Sequence, residues 1–288
     1  MKKLIDNGRI EHFTPPEEYI LGVNLLKKLV FSIFAKQKST HMKFVAIIPA
    51  RYQSTRFPGK PLAMLGEKPI IQHVYENASS AIDAVYVATD DDRIAAVVTS
   101  FGGQVVMTRA NHPSGTDRCA EAAALLSEKQ PVDVIINIQG DEPFVRAEQL
   151  QALKDCFADP ATEIATLVKK IDSEEVLFNP NRPKVVFDAN QYALLFSRST
   201  IPYIRGKEPH SWLHAHPFYA HLGMYAYRAG VLDEITRLNP SFLELAESLE
   251  QLRWLENGYK IKVAVTEFES IGIDTPEDLE QAKAFLGL

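Results

Sequence analysis

Three cations crowd one loop of this chain. Arg51, Arg56 and Lys60 lie within residues 47–62, with the hydroxyls of Ser54 and Thr55 and the glycine Gly59 between them. That spacing suits several phosphates rather than one. Arg forks clamp phosphate oxygens in bidentate fashion, whereas Lys supplies a mobile point charge. The loop follows an apolar run at 44–48, and α/β folds bind ligands where loops leave the carboxyl ends of sheet strands. A nucleoside triphosphate site is the sharper reading. A solvated basic loop stiffened by Pro58 and Pro61 is the plainer alternative.

Carboxylates that could share such phosphates stand in two places. Asp141 lies in Gln139-Gly140-Asp141-Glu142-Pro143, directly after the most hydrophobic strand candidate of the chain. It would project over the sheet edge, where a hard cation such as Mg²⁺ takes oxygen ligands from carboxylates and phosphates together. A plain Gly-Asp turn with Pro143 starting a helix is the alternative. Asp274 opens Asp274-Thr275-Pro276-Glu277-Asp278. Thr275 as cap, Pro276 at the first helical position and Asp278 in a capping box explain that segment and leave Asp274 free. A second metal ligand there requires the C-terminal segment to fold back against Asp141.

The remaining chemistry is polar and softer. His221, Gly223 and Tyr225 share one face of an alternating run, and an imidazole and a phenol around a glycine gap suit a polyhydroxylated ligand. His210, His214 and His216 match no helical face with His221, and Pro217 interrupts the run, which argues against a metal site. Glu250 and Gln251 fall in a long helical pattern, where spacing alone reads as a solvated face. Walker and Rossmann glycine patterns are absent, as are HExxH and GxSxG, so any phosphate site uses another arrangement.

These groups need a scaffold. Strands are expected at 44–48, 85–88, 104–107 and 132–138, with helices at 69–78, 92–101 and 117–126. That order predicts a mostly parallel sheet covered by helices. The second half is richer in strands, at 164–170, 184–188, 193–196, 222–227 and 260–265. Helices are expected at 232–238, at 243–257 and from Pro276 onward. Residues 42–288 read as one domain with a cleft between a nucleotide half and a substrate half.

The 288 residues are 46% hydrophobic and 24% charged, an ordinary soluble composition. A net charge of −6 makes a broad nucleic-acid surface improbable and confines the positive charge to the loop. The two cysteines form no CxxC pair and read as incidental thiols of a reducing cytoplasm. Residues 1–41 read differently. Residues 14–18 form a turn or linker. The apolar stretch 20–34 is interrupted by Asn24, Lys27 and Lys28, a poor membrane span and an unconvincing signal peptide. This segment is read as an amphipathic helix or as the product of an upstream start or a cloning scar at His41-Met42, with no catalytic role.

Together the segments resemble the 3-deoxy-manno-octulosonate cytidylyltransferases, also called CMP-Kdo synthetases. The resemblance runs from about Phe44 to near the C-terminus. It rests on IIPARYQSTRFPGKPL at 47–62, VATDD at 87–91, MTRANHPSGTDR at 107–118 and NIQGDEP at 137–143. FNP at 178–180, FSRSTIP at 196–202, HLGMYAYR at 221–228, LEQLR at 249–253 and IDTPEDLE at 273–280 continue it in order. The CMP-sialate synthetases share the type of loop, but the later motifs fit the Kdo enzymes better.

The resemblance implies a Rossmann-like α/β nucleotidyltransferase fold, usually dimeric, with a strand-rich substrate-binding and dimerisation subregion. It implies transfer of CMP from CTP to Kdo for lipopolysaccharide synthesis in the cytoplasm. Arg51, Ser54, Arg56 and Lys60 would hold the CTP phosphates. Thr108, Arg109, Ser114 and Gly115 would lie near cytosine and ribose, and Asp141 and Asp274 would ligate Mg²⁺. Arg198, His221, Tyr225, Glu250 and Gln251 would face the sugar acid, with Arg205 beside them. Of these, Arg51, Lys60, Asp141 and Asp274 would carry the catalysis. Ala220 departs from the pattern, since many members carry a basic residue before the His-Leu-Gly run. Transfer to 8-amino-Kdo or sialate, or nucleotide binding without turnover, are the alternatives.

Overall fold

Four apolar strands set the frame of the sheet. β1 (Phe44–Pro49), β2 (Ala84–Thr89), β3 (Gln104–Met107) and β4 (Val134–Asn137) pair in parallel in the order β4-β1-β2-β3. β4 is buried at every position, as strands covered on both faces are. The computed structural model describes residues 5–6, 9–10, 42–269 and 272–288. The chain divides into two compact units, Met1–His41 and Met42–Leu288. In the first, Ile5–Asp6 and Arg9–Ile10 form an antiparallel ladder. The expectations for residues 14–34 lie outside the described residues.

Alternation along the strands builds two cores. Ala46, Ile48, Val134 and Ile136 face one side and pack with Ile70, Ile71 and Val74 of α1 (Ile70–Ser79). Val45, Ile47 and Ile135 face the other side, against Cys119, Ala122 and Leu126 of α3 (Gly115–Ser127). Between them in sequence, α2 (Asp92–Ser100) begins at the N-cap Asp91 and ends before Gly102. The sequence offers a helix here only as the alternative start at Pro143; α4 (Ala147–Cys156) begins four residues later and packs Leu150 and Leu153 onto the first core. Its charged, weakly periodic face hides it.

The second half pairs its strands antiparallel, except the last, which runs parallel to its neighbour. β5 (Ile164–Lys170), β6 (Lys184–Phe187), β7 (Ala193–Ser197), β8 (Tyr219–Arg228) and β9 (Ile261–Thr266) complete a nine-stranded sheet. β8 runs antiparallel to both β4 and β5 and so joins the halves. The register of β8 against β5 shifts between Leu222 and Tyr225, and Thr166 Oγ1 closes the bulge by donating to the Met224 carbonyl at 2.8 Å. Three short helices come between, α5 (Glu174–Phe178), α6 (Trp212–Ala215) and α7 (Ala229–Ile235), the last standing where a helix is expected at 232–238. The expected helix over 243–257 is two pieces, α8 (Phe242–Glu247) and α9 (Gln251–Glu256). Ser248, at φ 51°, sits in the left-handed region and breaks them apart. The final helix, α10 (Pro276–Phe285), has the expected Thr275–Asp278 capping box.

Candidate active site

The carboxyl ends of β1 and β4 open into a cavity of about 330 Å³. Its wall includes Arg51, Ser54, Arg56 and Lys60 from the basic loop, Ser114 and Gly115 from the start of α3, and Asp141 and Asp274. Eight of the residues expected from sequence therefore meet at one place.

Each part is positioned by local structure. Ser114 caps α3, its Oγ accepting from the Asp117 amide at 3.2 Å. The free amides and positive dipole end of a 13-residue helix thus face the cavity, a natural seat for an anion. Gly140 follows from close approach, since a Cβ there would stand 2.8 Å from the Pro49 carbonyl oxygen. Only glycine lets the β4 loop lie against the end of β1 and present Asp141 to the cavity. The C-terminal segment does fold back: the Ile273 amide donates to the Asp141 carbonyl at 2.9 Å. Asp278 Oδ2 accepts from the amides of Asp274 and Thr275, both at 2.9 Å, and leaves the Asp274 carboxylate to face the loop. Burial raises the Asp278 pKa, but these amides outweigh it and hold the carboxyl below its usual range.

Lys60 ties the two aspartates together. Its Nζ donates to Asp141 Oδ2 at 2.5 Å and to Asp274 Oδ1 at 3.1 Å. Arg56 pairs with Asp274 Oδ2 at 3.2 Å. Two carboxylates from distant parts of the chain thus converge on a single cationic position.

Further lining residues escape the sequence reading. Arg118 is buried, bridging Asp90 Oδ1 at 2.8 Å and Thr108 Oγ1 at 2.6 Å. Its signal is an arginine beside Cys119 on the face of the helix that carries Ala122 and Leu126. His112 also lines the cavity and pairs with Glu121. Thr108 and Arg109 are not brought to the wall. Thr108 supports Arg118, and Arg109 pairs with Glu121 at 3.1 Å.

The residues expected to face the sugar acid form a second cluster, mostly buried. His221 Nε2 lies 3.1 Å from Thr166 Oγ1, and the His221 ring centre lies 5.3 Å from that of Tyr225. Burial pushes the His221 pKa down to about 3, so the ring is neutral at physiological pH. Tyr225 is buried with its hydroxyl unpartnered among the described residues. Burial, and then the Glu250 charge, raise its pKa.

Glu250 overturns the solvated-face reading. It accepts from Ser114 Oγ at 3.2 Å and from Thr116 Oγ1 at 2.8 Å, and burial raises its pKa. Gln251 is buried too, with Nε2 unpartnered among the described residues. The break at Ser248 makes this possible by re-aiming the chain. Arg198 does not face this cluster with a free guanidinium. It donates to the carbonyls of Glu247 at 2.6 Å, Pro180 at 3.0 Å and Ser248 at 3.3 Å, fixing the turn that precedes Glu250. Arg205 is exposed. Ser114 serves both clusters, lining the cavity and bonding Glu250.

Comparison with known proteins fits this picture. The cytidylyltransferase family model matches residues 45–261. A 3-deoxy-manno-octulosonate cytidylyltransferase of Parabacteroides distasonis is 64% identical over 249 residues, covering 85% of this chain and 98% of that protein. One of Phocaeicola vulgatus is 61% identical over 248 residues, with coverage of 85% and 98%. Among solved structures, a CMP:2-keto-3-deoxy-manno-octonic acid synthetase complexed with CTP superposes with a TM-score of 0.77 at 42% identity. That alignment covers 85% of this chain and 98% of the other. Such identity, held over nearly the full length of its relatives, places this chain in the 3-deoxy-manno-octulosonate cytidylyltransferase family.

Proposed function

We infer that this protein transfers CMP from CTP to Kdo, giving CMP-Kdo and pyrophosphate. The observation that carries the reading is the convergence of Arg51, Arg56, Lys60, Asp141 and Asp274 on the cavity at the helix N-terminus, in a chain of this family. The anomeric hydroxyl of Kdo attacks the α-phosphorus of CTP, the new O–P bond forms, the bond from the α-phosphorus to the bridging β-phosphate oxygen breaks, and the hydroxyl proton is released to solvent. Arg51 and Lys60 neutralise the departing pyrophosphate, and Arg56 and the α3 amides hold the chain in line. The neutral His221, Tyr225 and Gln251 orient the sugar acid from the neighbouring cluster.

Mg²⁺ fits the carboxylates present. Two hard oxygen donors already share one cation position at Lys60 Nζ, and phosphate oxygens and water complete a magnesium shell. Asp141 and Asp274 would hold it. Bound there, it would draw charge from the phosphates and lower the pKa of the attacking hydroxyl. With a metal held there, Lys60 would be free to pair with phosphate in place of carboxylate, since its stem is flexible.

We also read the protein as a homodimer acting in the cytoplasm ahead of lipopolysaccharide assembly. Leu194 on strand β7 is 63% exposed, and Phe242 of α8 is 90% exposed; apolar groups so placed support self-association. No helix among the described residues is long and apolar enough to cross a membrane. Pyrophosphate release from purified protein with Mg²⁺, CTP and a panel of sugar acids tests the reaction. Release with Kdo above sialate and 8-amino-Kdo is expected. Release only with another acid would replace the acceptor, and none with any acid would leave a binding protein.

A further inference from the structure

Between Arg51 and Lys60 the basic loop closes at a narrow neck. The Gly59 amide donates to the Tyr52 carbonyl at 2.8 Å. Arg51 therefore stands immediately before the neck and Lys60 immediately after it. Gly59 has φ +71°, and a Cβ there would meet Cε2 and Cζ of Tyr52 at 3.1 Å, so the phenol end of the ring packs against the glycine. A cation packs on the ring as well. The Arg93 guanidinium lies 3.3 Å from the ring centroid. Arg93 belongs to the first turn of α2 and is held there by Asp91, with Nε to Oδ1 at 3.0 Å and NH2 to Oδ2 at 2.6 Å.

This stack runs from a rigid helix through an aromatic ring to the residue beside Lys60. The Asp91–Arg93 pair is an exposed ion pair of little worth by itself. What it fixes is the direction of a planar cation, which then grips the ring. A second, open cleft of about 610 Å³ lies along Tyr52 and Arg93 and shares Arg51, Ser54 and Thr55 with the active cavity. The loop is thus one wall between two spaces, and the stack is its bracing on the outer side.

We propose that Arg93, acting through Tyr52, is a positioning residue for the triphosphate of CTP: it pins the neck that aims Arg51 and Lys60. This rests on the CTP reading of the cavity. Arg93 touches no substrate, so its loss should weaken nucleotide binding and leave the acceptor side alone. A surface cation–π contact corresponds to about 2- to 5-fold in affinity.

The test combines titration calorimetry with CTP and steady-state kinetics with CTP and Kdo on the full chain. Arg93→Ala and Tyr52→Ala are each expected to weaken CTP binding and raise its KM by about 2- to 5-fold, with the KM for Kdo unchanged. The double variant should be no worse than the poorer single one, because the two act as a unit. Tyr52→Phe should recover most of what Tyr52→Ala loses, since it keeps the ring. Arg93→Lys should recover less, since it lacks the plane. Melting temperatures accompany each variant, and Arg93→Lys replaces Arg93→Ala if the latter melts early. Unchanged CTP affinity in Arg93→Ala, additive losses in the double variant, or equal rises in both KM values would each overturn the proposal. Wild-type protein that neither binds CTP nor releases pyrophosphate would instead sink the functional reading.

Discussion

On the proposed reading, the two halves of the site, one for phosphate and one for the acceptor, solve opposite problems. The phosphate half is a loop of long, mobile charges at the end of a parallel sheet, open enough that Arg51 and Arg56 are exposed. The acceptor half is a set of buried polar groups on antiparallel strands and a broken helix. His221 is held neutral there and Glu250 is driven towards its protonated form. One half works by charge that is cheap to expose, the other by polar groups that are costly to bury. Ser114, which lines the cavity and bonds Glu250, is where they meet.

The largest expected effect breaks the phosphate half. Lys60→Ala should lower kcat/KM for CTP by about 10²- to 10³-fold, the usual loss when one preorganised charge at a reacting centre is removed. Steady-state kinetics at saturating Kdo would show it, and a change under about fivefold would leave Lys60 outside the chemistry. Next is the scaffold between the halves. Gly140→Ala should lower the melting temperature by about 3–10 °C, because the added methyl collides with the Pro49 carbonyl at 2.8 Å. An unchanged melting temperature would show that the β4 loop can move away without cost.

The acceptor half should reveal itself through pH rather than through a large rate loss. His221 has a folded pKa below its unfolded value, so its stabilising contribution is complete above about 6.5 and is lost as pH falls towards about 3. The melting-temperature gap between wild type and His221→Gln should shrink over that window. Glu250 has the opposite sign. Its folded pKa is raised, so its contribution is complete below the ordinary carboxylate value of 4.5 and is lost as pH rises through the folded value. Relative to wild type, Glu250→Gln should therefore gain stability from acid to neutral pH. Parallel rather than opposite trends would show that burial does not control both groups.

The same contrast decides what the sequence reveals. The phosphate loop is legible because few structural roles call for three cations at such close spacing, and its partner strands are continuous apolar runs. Asp274 is half legible: the capping box accounts for its neighbours and leaves it over, but only the fold shows it reaching Lys60. Glu250 and Gln251 are hidden, because a helical pattern across 243–257 gives no sign that Ser248 turns left-handed and re-aims them. Arg118 is hidden for a related reason, since the partners that make a buried arginine tolerable, Asp90 and Thr108, come from other elements. The helix Ala147–Cys156 is legible only as an alternative start at Pro143, because packing rather than periodicity stabilises it.

The central claim is that Asp141 and Asp274 form, with Lys60, one centre for a metal-bound triphosphate. Calorimetric titration of CTP into wild type and Asp141→Asn, each with and without Mg²⁺, tests it most directly. The account predicts that Mg²⁺ strengthens CTP binding to wild type by at least about tenfold (about 1.4 kcal/mol) and has little effect on the folded variant. Equal dependence on Mg²⁺ in both proteins would contradict it.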